Sequence, residues 1–187
     1  MSRVLALSSA FVATSLLGAC AGLVSKPMAA PAFDPLSLPT AVQVPAGHKV
    51  ALETVGVGRI TYECRAKANA AGQFEWAFVG PKAELRSRSG TLLGSYYGPP
   101  ASWEAADGSK VTGAQLAVAP ANPGNIPLQL VKANPATGPA GLMSGVSYIQ
   151  RVATQGGVAP ALPCDAGSLG RQEIVNYQAD YILWKAA

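Results

Sequence analysis

Apolar and polar positions alternate along most of the chain after residue 47, and this alternation predicts β-strands. Residues 50–53 and 59–64 each place apolar side chains on one face, with Gly56 and Gly58 between the two runs. This arrangement predicts a β-hairpin with one buried face. Further alternating or apolar runs cover residues 74–79, 92–97, 115–118, 128–131, 146–153 and 174–184, and Gly80-Pro81 is expected to end the first of these.

The run at residues 174–184 differs from the others because apolar side chains appear on both of its faces near its end, as Tyr181 to Trp184 show. Such a strand is expected to be central or well covered. No segment of useful length shows the 3.6-residue apolar stripe of an amphipathic helix. The sequence therefore predicts an all-β fold, an antiparallel β-sandwich or barrel-like single domain with long irregular loops.

The first residues have the features of an export signal. Arg3 supplies a positive charge and an uncharged apolar run follows it, so residues 1–19 are interpreted as a signal peptide. The run ends in Leu17-Gly18-Ala19-Cys20, which resembles the lipobox of bacterial lipoproteins, where the cysteine receives a lipid. Ordinary cleavage near Ala19-Cys20-Ala21 is the alternative. With lipid on Cys20 the protein is expected to be anchored in the cell envelope, by resemblance at the outer membrane.

Proline spacing separates the N-terminal region from the folded part. Prolines at 27, 31, 35 and 39 exclude a helix, so residues 20–40 are interpreted as a lipidated N-terminus and extended tether. The alternative is an ordered arm that lies across the domain through Phe33, Leu36 and Leu38. Residues 41–187 form the predicted β-rich domain.

The cysteine count agrees with an oxidising compartment. If lipid consumes Cys20, Cys64 and Cys164 remain as an even pair and are predicted to form a disulfide. The rival interpretation, a reactive thiol pair or a metal site, lacks the CxxC spacing and a second ligand cluster.

Composition limits the chemistry that the chain can perform. The net charge of +4 is scattered, so nucleic-acid binding has no electrostatic footprint. His48 is the only histidine, which argues against multi-histidine zinc sites, and it is expected to be a turn residue. No nucleotide loop or nucleophile elbow is present, and neither a metal nor a cofactor is expected.

Two classes of function remain, a non-catalytic binding or structural module of the envelope and a carboxylate-based hydrolase of an envelope polysaccharide. Tyr96, Tyr97, Trp103 and Glu104 are the candidate ligand-binding residues, because aromatic rings on a loop or edge can stack on sugars or apolar ligands. The alternative is that these rings cap the β core. For hydrolysis, Glu104 could pair with Asp107 or Asp165.

Several short segments together have the pattern of a known family. They are Val44-Pro45-Ala46-Gly47, Ile60-Thr61-Tyr62-Glu63-Cys64, the stretch from Gly98-Pro99-Pro100 to Val111, Ile126-Pro127, Ser147-Tyr148-Ile149-Gln150-Arg151, and Gly156-Gly157-Val158-Ala159-Pro160 with Cys164-Asp165. Through them the chain resembles, from about Leu38 to Lys185, the DUF3455 family of secreted bacterial and fungal proteins, whose function is not established. Many relatives carry histidine where this chain has Tyr96, so histidine-based chemistry is not carried over.

Overall fold

A computed structural model describes residues 33–187, and strands dominate that region. No α-helix occurs among those residues, where the helical structure consists of 3-10 turns at Pro35–Ser37, Thr40–Val42 and Ala166–Ser168. No described helix has the length and apolar character needed to cross a bilayer. The strands are β1 His48–Ala66, β2 Phe74–Arg86, β3 Leu92–Tyr97, β4 Ser102–Ala105, β5 Lys110–Ala119, β6 Leu128–Ala133, β7 Val146–Gly156 and β8 Gln172–Ala186.

Each strand pairs antiparallel with the next strand along the chain, and β8 returns to pair with β1. The eight strands therefore form one closed ring. This confirms the predicted all-β antiparallel fold. Residues 1–32 lie outside the described residues, and they include Cys20, the predicted signal peptide at residues 1–19 and part of the predicted tether.

The predicted hairpin across Gly56 and Gly58 is wrong, because β1 runs without a turn from His48 to Ala66. The two glycines serve close packing instead. A Cβ atom on Gly56 would collide with the Tyr181 ring, and one on Gly58 would collide with the β2 backbone at Lys82 and Ala83. Glycine inside a strand often marks such a close approach, and here it was mistaken for a turn.

Gly80-Pro81 does not end a strand either, since β2 continues to Arg86. Pro81 pairs with Ile60, close to a register shift between Thr61 and Tyr62. Proline is tolerated in strands at such irregularities because no ladder hydrogen bond is required of its nitrogen. The turn that joins β1 to β2 lies at residues 67–73 instead.

Large aromatic side chains fill the interior of the ring. Trp103 is 0% exposed and Tyr96 6% exposed, and their rings lie 4.7 Å apart. The hydroxyls of Tyr177 and Tyr181 lie 3.1 Å apart in the same cluster. Desolvation by burial raises the pKa of Tyr96, Tyr177 and Tyr181, so these hydroxyls remain protonated. The ring interior is therefore a packed core.

Residues 34–44 form an arm, of which Leu38, Val42 and Val44 pack on the outer surface of β5 and β6. Val42 is fully buried there with Ala119 and Leu130. Leu36, in the predicted tether, is 80% exposed. The amide of Gln150 donates to the Val42 carbonyl oxygen at 2.6 Å and accepts a bond from the Trp184 indole at 2.8 Å. Cover on both faces explains the apolar end of β8, where residues 181–184 are all buried.

Cys64 and Cys164 form the predicted disulfide, with Cα atoms 5.5 Å apart. The bond ties the long β1–β2 hairpin to the loop that precedes β8. Backbone bonds reinforce the same junction, because Cys64 bonds to Arg171 through its amide and to Gly170 through its carbonyl oxygen.

We expect the double substitution Cys64→Ser/Cys164→Ser to lower the free energy of unfolding by about 2–5 kcal/mol, because the bond closes a loop of 100 residues and constrains the unfolded chain. Urea denaturation of both proteins measures the difference. Reduction of the unsubstituted protein should produce the same loss, whereas a midpoint insensitive to both treatments would contradict the assignment of a stabilising disulfide.

Trp103→Ala is expected to destabilise the domain by about 3–5 kcal/mol, because it empties a fully buried site in the ring interior. Ile174→Ala, at a residue that is 58% exposed, is the control and should change stability by about 0.5 kcal/mol or less. Thermal or urea unfolding reports both values. Equal effects of the two substitutions would show that Trp103 is not a core residue.

Candidate functional site

The outer faces of β1 to β5 carry two parallel rows of side chains. Residues that pair across antiparallel strands point to the same face of the sheet. In the first row, Arg59 pairs with Lys82, which pairs with Tyr97 on its other side. The second row passes through Glu84, which lies two residues after Lys82 on β2. Its members, each paired with the next across neighbouring strands, are Val57, Glu84, Ser95, Glu104 and Lys110.

Two adjoining depressions lie over these rows, and both are lined by Glu84 and Ser95. The first, of about 310 Å³, extends over Arg59, Lys82 and Tyr97. The second, of about 410 Å³, extends over Glu104 and small residues of β3 and β4. We call the two together the outer groove. It is a recess because glycine, serine and alanine lie between longer side chains along the strands.

Tyr97 and Glu104 meet within this groove. The Tyr97 hydroxyl donates to Glu104 Oε2 at 2.6 Å, across the β3–β4 hairpin. The bond to the carboxylate raises the pKa of the Tyr97 hydroxyl, which therefore stays protonated at neutral pH. Two of the four predicted ligand-binding residues thus lie side by side on the surface. Their ring and carboxylate form one wall where an aromatic face and a hydrogen-bond acceptor are both available.

Opposite charges occupy different parts of the groove. Arg59 and Lys82 supply positive charge beside Tyr97, and neither side chain has a hydrogen bond or ion pair with a residue that the structure describes. Glu84 and Glu104 supply negative charge on either side of Ser95. Glu84 accepts a bond from Arg86, whose Nε lies 3.0 Å from Glu84 Oε2. The groove can therefore bind an anionic group at one end and hydroxyl or ammonium groups at the other.

The other two candidate ligand-binding residues, Tyr96 and Trp103, point into the ring and away from the groove. Their strands alternate, so Tyr97 and Glu104 face outward while Tyr96 and Trp103 face the core. Both residues therefore match the alternative interpretation given above, in which these rings belong to the β core. Neither offers surface to a ligand in this structure.

The carboxylates considered for hydrolysis each accept hydrogen bonds from other groups of the protein. Asp107 Oδ1 accepts from the backbone and hydroxyl of Ser109, and Asp107 Oδ2 accepts from the Leu142 amide at 2.8 Å. These bonds, that of the Ser109 hydroxyl first, lower the pKa of Asp107, so it is a poor proton donor. Asp165 accepts from Ser168 at 2.9 Å. Asp107 and Asp165 therefore hold loops in place.

His48, which is expected to be a turn residue, is the first residue of β1 and directly follows the bend at Ala46-Gly47. Its Nδ1 lies 3.0 Å from the Pro45 carbonyl oxygen, and its ring packs edge-on against Tyr148. Within residues 33–187 no group of three or more histidine, cysteine, aspartate or glutamate side chains is placed to hold a metal ion.

Sequence reasoning missed Arg59, Lys82, Glu84 and Ser95 as site residues. Each is an outward position of a strand with period-two alternation, and that signal is present in the sequence. Their meeting depends on the register of β1 against β2 and of β2 against β3, which alternation does not specify. The mistaken hairpin would also have paired residues 59–64 with residues 50–53, whereas Arg59 pairs with Lys82 and Asn176.

Comparison with known proteins adds a family but no function. The family model of DUF3455, described as a protein of unknown function, matches residues 45–185. No curated protein and no solved structure matches the chain. The matched region begins at the end of the arm and includes all eight strands up to the last residues of β8. The chain belongs to the DUF3455 family.

Proposed function

We propose that this protein is an exported lipoprotein of the cell envelope, anchored through Cys20, and that it is a non-catalytic module whose outer groove binds an envelope ligand. The signal-like residues 1–19 and the lipobox resemblance at Leu17-Gly18-Ala19-Cys20 support the address. The disulfide between Cys64 and Cys164 agrees with an oxidising compartment outside the cytoplasm. By the lipobox resemblance, the outer membrane is the proposed location.

The observation that carries the binding function is the outer groove itself. It brings an aromatic side chain, two cations and two carboxylates together on the surface of one sheet. Mostly preformed recesses with a few convergent polar groups are the usual sites of small-molecule recognition. The ring interior does not compete for this role, because aromatic side chains fill it.

Hydrolysis of an envelope polysaccharide is the second candidate, and one observation favours it. Glu84 and Glu104 flank Ser95 on neighbouring strands, so their backbones are about 10 Å apart, a spacing from which two carboxyl groups can face one sugar. Both carboxylates are already bonded, Glu84 to Arg86 and Glu104 to Tyr97. Because both carboxylates already have partners within the protein, binding is the better supported function.

The anchor is tested by the substitution Cys20→Ala. We expect the unsubstituted protein to fractionate with membranes and the variant to be released as a soluble exported protein, because a lipid chain supplies the membrane affinity. Mass spectrometry of the mature N-terminus provides an independent measurement, with a lipid-modified Cys20 as the expected first residue. Membrane retention of the variant, or an unmodified N-terminus in the natural protein, would refute the anchor.

The groove is tested by Tyr97→Ala and Glu104→Gln. Each variant should weaken retention on isolated envelope polysaccharide and peptidoglycan sacculi by about tenfold, because Tyr97→Ala removes the aromatic face and Glu104→Gln removes the negative charge of the same wall. Phe78→Ala is the matched control, since Phe78 is 54% exposed and lies outside the lining of the groove. Binding unchanged by either groove variant, or lost equally in the control, would contradict the assignment of the groove as the binding site.

A further inference from the structure

We infer that the ligand of the outer groove is an acidic saccharide, whose carboxylate is held by Arg59 and Lys82 and whose hydroxyls bond to Glu84 and Glu104. This inference rests on the proposed binding function and gives it a ligand class. It concerns the basic end of the groove, where the Arg59 and Lys82 side chains have no hydrogen bond or ion pair with any residue in the described range 33–187.

The positions of Arg59 and Lys82 are unfavourable for the protein alone. The two residues are direct cross-strand partners between β1 and β2, and both are exposed on the outer face. Like charges directly opposite each other on neighbouring strands destabilise a sheet. A bound anion placed between them removes this repulsion and gains a charge-assisted hydrogen bond from each cation.

Arg59 is also the exception among the arginines of residues 33–187. Every other arginine there donates to a carboxylate or to a main-chain carbonyl oxygen, namely Arg65, Arg86, Arg88, Arg151 and Arg171. Carboxylates are available nearby, but Glu84 is bonded to Arg86 and Glu104 to Tyr97. The protein thus satisfies its neighbouring charges and leaves one guanidinium and one ammonium facing the recess. That arrangement suits an external carboxylate.

The rest of the groove favours a saccharide as the carrier of that carboxylate. Glu84 and Glu104 lie one row away from the cations, which is two residues or roughly 7 Å along the strands. Carboxylates accept hydrogen bonds from vicinal sugar hydroxyls, and Tyr97 offers an aromatic ring beside them.

The binding experiment compares three polyuronates, namely alginate, polygalacturonate and hyaluronate, with the same polymers after their carboxyl groups have been reduced to alcohols. Affinity gel electrophoresis of the mature chain gives the dissociation constants. We expect binding to at least one native polymer and at least tenfold weaker binding to its reduced form. Arg59→Gln and Lys82→Gln should each weaken binding to the native polymer by about tenfold and leave binding to the reduced polymer unchanged.

Arg65→Gln is the matched control, because it removes the same charge from β1 outside the groove, at an arginine that is bonded to Glu63. Its binding should equal that of the unsubstituted protein. Arg59→Glu adds a readout of the repulsion, since a carboxylate opposite Lys82 forms an attractive pair. That variant should unfold at the same or a higher temperature while it loses the polyuronate, which distinguishes a lost site from a lost fold.

The outcomes separate the ligand class from the proposed function. Equal binding of native and reduced polymers that still depends on Tyr97 overturns the acidic saccharide and keeps the groove. Binding that Tyr97→Ala leaves intact overturns the groove as well. Absence of binding to all three polyuronates, or stronger Arg59-dependent binding to vesicles of phosphatidylglycerol, also overturns the inference, and the vesicle result replaces the saccharide with a lipid headgroup.

Discussion

Closure of eight strands into a ring is the constraint on which the rest of this structure depends. An eight-stranded ring has an interior just wide enough for side chains, and here Tyr96, Trp103, Tyr177 and Tyr181 occupy it. Closure needs β1 to pair with β8 over residues 48–63 on one side and with β2 over residues 55–66 on the other. Gly56 and Gly58 permit this because they leave room for the Tyr181 ring and the β2 backbone. With the interior filled, recognition of a ligand is left to the outer surface.

The outer surface is divided between two roles. The arm at residues 34–44 covers part of the outside of β5 and β6 with apolar contacts around Val42. Gln150, which is fully buried, joins the arm to Trp184 through its amide and so satisfies its polar atoms under that cover. The outside of β1 to β4 carries charged and polar side chains and the outer groove. The arm and the outer groove therefore lie on different strands.

Sequence alternation was sufficient to predict the fold class and the inward set of β1, because Ile60, Tyr62 and Cys64 are all buried. The disulfide also followed from the count of cysteines and was confirmed. Turns were harder, since Gly56, Gly58 and Gly80-Pro81 are turn-forming residues that the structure places inside strands. Glycine occurs both in turns and where a neighbouring group packs closely against the backbone of a strand. The two cases can be distinguished only when the neighbouring group is known, as the Tyr181 ring is for Gly56.

The candidate site was predicted in part for a related reason. Two pairs of adjacent residues, 96–97 and 103–104, were proposed together as ligand-binding residues, but adjacent side chains of a strand point to opposite faces of the sheet. Tyr97 and Glu104 therefore reach the groove, whereas Tyr96 and Trp103 enter the core. The remaining groove residues come from distant parts of the chain and meet through register alone.

The same register links the groove to ring closure. Gly58 allows β1 to lie close against β2 at Lys82 and Ala83, and the next residue of β1, Arg59, is thereby set opposite Lys82. A shift of one residue between these strands would turn one of the two side chains toward the core and separate the charges. Because the inward positions of β1 and β2 hold buried residues such as Ile60 and Leu85, the core fixes the register and with it the pair of cations. The repulsion between Arg59 and Lys82 is thus sustained by the packing of the ring interior, and an anion in the outer groove relieves it.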